Sequence, residues 1–307
     1  MIRASAPGKL ILFGDHAVVY GEPGIATAIN KRVYSTACEL EGRKIIIESK
    51  DTGETIECGI RDKSKNPIVA AVQEAQKFSK SRSGVGVEIN SQIPIGAGLG
   101  SSAAVATATI ASVATLFNGN EPSTLEIAEM AYKADKLAHE SPSGIDTAIT
   151  SLGGTIFFKK GNISQLDSDP LTFVVANSGV RRNTSDMVLR VKNSIMDPRV
   201  ALSMFSIGSL AKEARTVFMN KRPVDLGPLM DRGQSLLKDL GVSSTAIEDL
   251  VKLAKDSGAI GSKITGAGGG GCIISLSDDP EDLIKAFKEN GAFAYSVRTN
   301  QPGVRIE

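Results

Sequence analysis

Pro94-Ile95-Gly96-Ala97-Gly98-Leu99-Gly100-Ser101-Ser102-Ala103 sets three alternating glycines directly ahead of a run of small apolar residues, 103–117. Glycine adopts backbone angles closed to other residues, so such a loop can wrap closely around a ligand. The helix that the apolar run predicts starts with unpaired N–H groups and the positive end of its macrodipole. Together, Gly96, Ala97, Gly98, Leu99, Gly100, Ser101 and Ser102 read as a cradle for phosphate. It is not a P-loop, because G-x-x-x-x-G-K-[ST] occurs nowhere in the chain, and it lacks the full G-x-G-x-x-G of a dinucleotide fold. Without a ligand, the same stretch reads as a glycine turn capped by Ser101.

Working outward, residues 85–93 alternate apolar and polar side chains as a strand does, which makes the local order strand, glycine loop, helix. Residues 10–13 and 33–40 also read as strands, 44–60 as a hairpin around Gly53, and 67–79 as a helix. Ser123-Thr124-Leu125-Glu126 is a capping box that starts a helix running to about His139. Pro142-Ser143-Gly144 breaks it; residues 145–150 are helical and 154–162 form another hairpin. Beyond the polar stretch 164–170, residues 173–177 are a strand, three helical stretches cover 186–256, and 263–277 is strand, glycine loop, strand. Strands interleave with helices without regular βα alternation, so the expected architecture is α+β with two lobes, residues 1–165 and 166–307. The length agrees, since single cores stop growing near ~250–300 residues.

Thirty-five basic against 34 acidic side chains leave a net charge of +1, so no bulk field recruits nucleic acid or an anionic membrane. Cys38, Cys58 and Cys272 are an odd, widely spaced set with no CxxC pair, which fits reduced thiols in a cytoplasmic protein. No sustained apolar stretch precedes Pro7 and Lys9, so the N-terminus does not read as a signal peptide. Residues 103–117 fall short of the ~20 apolar residues a membrane span needs, and carry Thr107, Thr109, Ser112 and Thr115. A cytoplasmic homodimer with no nucleic-acid or membrane partner is expected.

Four side chains stand out. Lys9 opens an apolar run, a poor place for an ammonium unless it points into a site. His16, one of two histidines, lies in Gly14-Asp15-His16-Ala17-Val18-Val19-Tyr20-Gly21. Asp135 shares a stripe of small residues with Ala131 and Ala138, where a carboxylate wants a cation. Asp146 follows the Pro/Gly break between Ile145 and Ala148 and reads as an inward acid. Plain structural readings stand beside these: an exposed lysine, a structural histidine, a buried ion pair for Asp135 and a helix cap for Asp146. Gly266-Ala267-Gly268-Gly269-Gly270-Gly271 matches G-x-G-x-x-G, but a strand-like run follows where a dinucleotide site needs a helix. It reads instead as a tight turn passing close to the first glycine loop or to a bound phosphate.

In this order, residues 7–21, 94–103 and 263–272 resemble the galactokinase–homoserine kinase–mevalonate kinase–phosphomevalonate kinase (GHMP) superfamily over nearly the whole chain. Residues 14–21 and Pro142-Ser143-Gly144-Ile145-Asp146 resemble its branch that acts on mevalonate, early in isoprenoid biosynthesis. The resemblance implies a cleft between two lobes, with ATP phosphates on Gly96 to Ser102 and transfer to the primary hydroxyl of mevalonate. It makes Asp146 and Lys9 catalytic, Ser102 and Asp135 the Mg²⁺ ligands, and Asp15, His16, Arg182 and Thr184 substrate-binding. Asp15 and Asp135 stand where that family usually has Glu, and Glu140 is the alternative to Asp135 at the metal. Phosphomevalonate kinase, a kinase acting on another hydroxyl of mevalonate, and a non-catalytic sensor on the same scaffold are the alternatives. The presence of Lys9, Ser102 and Asp146 argues against the sensor.

Overall fold

Ile2–Phe13 (β1) and Gly24–Leu40 (β2) pair antiparallel as the spine of the first sheet. Both outrun the apolar residues that mark them, because Ser5, Lys9 and Arg32 are polar yet buried. Their register shifts at Pro7/Gly8, where space is tight: a Cβ on Gly8 would stand 2.9 Å from Ile93 and 3.0 Å from the Leu99 carbonyl. Every residue of the 307 except 63, 95, 139–141 and 181–183 is described in this computed structural model, as are all side chains but those of 138, 184 and 185.

Lys44–Ser49 (β3) and Thr55–Gly59 (β4) form the hairpin expected around Gly53. Pro67–Phe78 (α1) follows, capped by the Asn66 side chain, which accepts from the N–H groups of Ile68 and Val69. It leads back to Gly84–Ser91 (β5), which lies parallel to β3 and antiparallel to β2. Ser101–Asn118 (α2) lies against β1 and β2, and Thr124–Ala138 (α3) and Ile145–Leu152 (α4) pack beside it. By length and composition α2 is apolar enough to cross a membrane, but 61% of it is buried inside the protein, with Ala104, Ala108 and Ala111 fully enclosed. The capping box forms as read: the Ser123 N–H donates to Glu126 at 2.8 Å, and the Glu126 N–H donates to the Ser123 hydroxyl at 3.3 Å. Thr155–Lys159 (β6) and Asn162–Gln165 (β7) form the second hairpin, with β6 on the early part of β2.

Thr172–Asn177 (β8) begins a second sheet. After it come four helices rather than three stretches: Thr184–Ser194 (α5), Pro198–Met219 (α6), Leu226–Asp239 (α7) and Thr245–Asp256 (α8). The extra break has a local cause, since the Asp197 side chain caps α6 and Pro198 fits its first turn. Gly261–Ile264 (β9), Cys272–Leu276 (β10), Pro280–Glu289 (α9) and Phe293–Arg298 (β11) complete an antiparallel sheet of order β11-β8-β10-β9. Alternation along β8 divides its faces. Phe173 and Val175 join the large core shared with the first sheet, while Val174 and Ala176 join a second core with residues of α8 and α9.

The chain then returns. Arg305–Ile306 (β12) pairs with β1 at Ala4 and Ser5, giving the first sheet the order β12-β1-β2-β5-β3-β4. The buried Arg32 guanidinium fixes this return by donating to the carbonyls of Ser5, Pro302 and Gly303 and to the Ser5 hydroxyl.

Candidate active site

Gly96, Gly98 and Gly100 all take left-handed backbone angles, with φ of +73°, +84° and +74°. Between them Ala97 and Leu99 are buried in the core, so alternate residues anchor the loop while the glycines bend it. Gly100, not Ser101, is the cap residue of α2, and no side chain caps that end. The first-turn N–H groups of α2 are thus left to whatever lies before the helix, and Ser102 is exposed there. Ile95 lies outside the described residues.

Lys9 is stitched beneath this loop. Its N–H donates to the Leu99 carbonyl at 2.8 Å, and its side chain runs so close under Gly100 that a Cβ there would stand 2.5 Å from Lys9 Cγ. The ammonium ends 3.1 Å from Asp146 Oδ1; the lysine side chain is 5% exposed and the aspartate 41%. Asp146 is the second residue of α4, entered through Gly144 at φ +85°, and the positive helix end favours its carboxylate. Three segments far apart in sequence therefore meet: β1, the glycine loop with α2, and the start of α4.

A second group lies where β1 leads out toward the second sheet. Asp15 is buried, with one oxygen on the Lys263 ammonium and the other accepting the Gly266 N–H at 2.9 Å. His16, at φ +62°, sets its Nε2 2.9 Å from the Ala267 carbonyl. Burial pushes its imidazole below the usual range; the Ala267 carbonyl and Asp15 pull the other way, and Lys263 adds to the lowering. Ile11 N–H donates to the Thr265 hydroxyl at 3.3 Å, so the end of β1 and the loop after it are bonded to Thr265, Gly266 and Ala267 at three successive points.

The glycine run 266–271 is a close-approach turn. Cβ atoms on Gly268 and Gly270 would stand 2.2 Å and 2.6 Å from the carbonyls of Val242 and Val180. The N–H groups of Gly269 and Gly271 donate to those same carbonyls. Its nearest neighbours are the Val180 and Val242 backbones and the Met187 side chain.

Of the remaining expected residues, Asp135 is half-buried on α3. Arg182 and the alternative ligand Glu140 lie outside the described residues, and Thr184 opens α5 with its side chain outside them too. Among the described residues no group of three or more His, Cys, Asp or Glu side chains is placed to hold a metal ion. The sequence places Lys263 at the head of the 263–277 strand–loop–strand but gives it no role in a site, although a lysine heading a strand is the same kind of signal that marked Lys9.

A glycine cradle at a helix start, with a buried lysine joining it to a half-open aspartate, has the parts of an ATP-dependent phosphotransferase. The chain belongs to the GHMP kinases: residues 66–154 match the GHMP kinases N terminal domain and residues 211–296 the GHMP kinases C terminal domain. It is an ATP-dependent small-molecule kinase of that fold. Within the family it groups with the mevalonate kinases. It is 37% identical to the mevalonate kinase of Thermococcus sibiricus and 38% identical to that of Pyrococcus abyssi, in each case over 100% of this chain and 98% of the relative. The crystal structure of the Methanococcus jannaschii mevalonate kinase matches with a TM-score of 0.86 at 26% identity, covering 97% of this chain and 98% of that one.

Proposed function

We propose that this protein transfers the γ-phosphate of ATP to the primary hydroxyl of mevalonate, with residues 1–165 and 166–307 as its two lobes, the second returning β12 to the sheet of the first. The observation that carries the reading is the Lys9–Asp146 pair under the glycine loop, which sets a proton acceptor and a cation beside a phosphate cradle. Phosphoryl transfer asks a protein mainly for positioning and charge neutralisation, because its transition state is loose. The phosphates take the N–H groups of the Gly96–Ser102 loop and the positive end of α2. Asp146 accepts the hydroxyl proton as the substrate oxygen bonds to the γ-phosphorus and the bond to the ADP oxygen breaks. Lys9 holds Asp146 in place through their ion pair and offsets charge on the transferring group.

The donor set also suits Mg²⁺, which keeps several waters and is held by one or two carboxylates plus substrate phosphates. Ser102 offers an exposed hydroxyl and Asp135 a half-buried carboxylate on adjoining helices; the ion would neutralise charge on the β- and γ-phosphates. His16, Arg182 and Thr184 are assigned to the substrate. Asp15 contributes through its neighbours, since both its oxygens are engaged.

Phosphorus NMR of the purified protein with ATP, Mg²⁺ and mevalonate tests this reading, with phosphomevalonate, homoserine and galactose in parallel. Mevalonate 5-phosphate and ADP are expected. Phosphate on another hydroxyl or another alcohol, or tight binding without product, overturns it.

A further inference from the structure

Lys263 touches nothing in the proposed reaction, yet it is only 1% exposed and its ammonium is committed to Asp15 Oδ2 and the Ile264 carbonyl. Removing an ammonium and a carboxylate from water costs several kcal/mol per ion, and well-packed apolar replacements are often no less stable. Stability is therefore a weak reason for the pair. Its geometry supplies a stronger one. The second oxygen of Asp15 takes the Gly266 N–H, and the very next residue, His16, sits at a left-handed φ of +62°. Such backbone strain persists only where the surroundings over-determine it. The His16 ring then meets the Ala267 carbonyl at 2.9 Å. A carbonyl can only accept, so Nε2 carries the hydrogen, and in a neutral ring Nδ1 is left as an acceptor.

We propose that Lys263 is a positioning residue for substrate recognition: through Asp15 it clamps the 14–16 turn onto residues 264–267, fixing the His16 ring so that Nδ1 accepts from a hydrogen-bond donor on the substrate. This rests on His16 contacting substrate, as proposed above. The clamp joins the loop after β1 to β9, so the same pair that orients the ring holds the two sheets together beside the site.

The test uses the Lys263→Met/Asp15→Asn double variant, which leaves no unpaired buried charge, with His16→Asn and the triple variant. Long-range ¹H–¹⁵N spectra read the imidazoles; the chain has two histidines, and His16→Asn assigns the signal. Wild type is expected to show His16 locked with hydrogen on Nε2, and the double variant to lose that lock. In kinetics, KM for mevalonate should rise roughly tenfold, the equivalent of about 1.4 kcal/mol, while KM for ATP stays within about twofold. In the His16→Asn background the added substitutions should leave KM for mevalonate unchanged. Lys263→Arg, which keeps the charge pair, should restore most of the affinity.

A wild-type ring averaging between tautomers or protonated on Nδ1, an unchanged His16 signal in the double variant, or additive effects on KM would overturn the clamp. The wild-type spectrum alone can overturn the clamp even if no variant folds, and Lys263→Arg, which keeps the charge pair, then supplies the folded comparison. If wild type fails to phosphorylate mevalonate, the functional reading falls by that result alone, and the spectra still judge the clamp.

Discussion

Lys9, Asp15, Arg32 and Lys263 are all buried, but they hold different kinds of partner. Asp15 and Lys263 satisfy each other in the interior and Arg32 binds backbone carbonyls, whereas Lys9 reaches an acid that is 41% exposed. That asymmetry separates a site from a staple. Asp146→Asn and Lys9→Met are each expected to lower kcat by ~10²–10³, the usual effect of removing one electrostatic group from such a site. Circular dichroism should be unchanged, and near-native turnover in either variant contradicts the assignment.

His16 makes a prediction of a different sort. Burial holds its pKa below the ordinary 6.5, so as acid is added the unfolded chain takes up a proton before the folded one does. The stability linked to this ring is therefore complete above pH 6.5 and declines below it. Thermal melts across that range should fall more steeply for wild type than for His16→Asn; parallel curves would count against a buried neutral ring. At this scale the sequence was informative for Lys9, because an ammonium at the head of an apolar run is conspicuous. Lys263 gives the same signal more faintly, in a four-residue strand overshadowed by the glycines that follow.

At the level of elements, the glycine loop shows why residue type matters more than polarity. A Cβ at position 100 needs both the left-handed angle and the space now filled by the Lys9 stem, 2.5 Å away. Gly100→Ala is expected to push Lys9 from Asp146, weaken nucleotide binding at least tenfold by calorimetry, and destabilise the fold by roughly 1–3 kcal/mol. Binding as tight as wild type would mean that the loop tolerates rearrangement. Local chemistry made most elements legible: the capping box, the hairpin glycines and the strand–loop–helix order each act through near neighbours. Strand lengths were not, since β1 and β2 continue through buried Ser5 and Arg32, which bond to Glu307 and to the carbonyls of Pro302 and Gly303 at the far end of the chain. The break before α6 and the start of α9 were also missed, although Asp197-Pro198 and Asp279-Pro280 follow the same rule of an acidic cap before a proline.

For the whole molecule, the two-lobed character follows from element order, but the joint between sheets does not. Asp15 to Lys263, His16 to Ala267 and Ile11 to Thr265 are contacts across some 250 positions, and no local pattern encodes them. The same holds for the return of the chain end. Arg32 gives four hydrogen bonds to Ser5, Pro302 and Gly303. Bonds involving a charged group contribute ~1.5–3 kcal/mol each, so Arg32→Leu should destabilise by about 3 kcal/mol or more and open residues 302–307 to carboxypeptidase. A tail that stays protease-resistant in the variant would show that β12 pairing alone secures it.

The pairing of β12 with β1 also bears on how the protein is made. The strand carrying Lys9 is translated well before β12, the strand that pairs with its outer edge at Ala4 and Ser5. Until β12 is made, that edge presents free backbone donors and acceptors, the kind of surface that neighbouring nascent chains can join. Completion of that sheet edge therefore waits on a segment translated late, and crowded polysomes are a setting in which the waiting edge is open to aggregation.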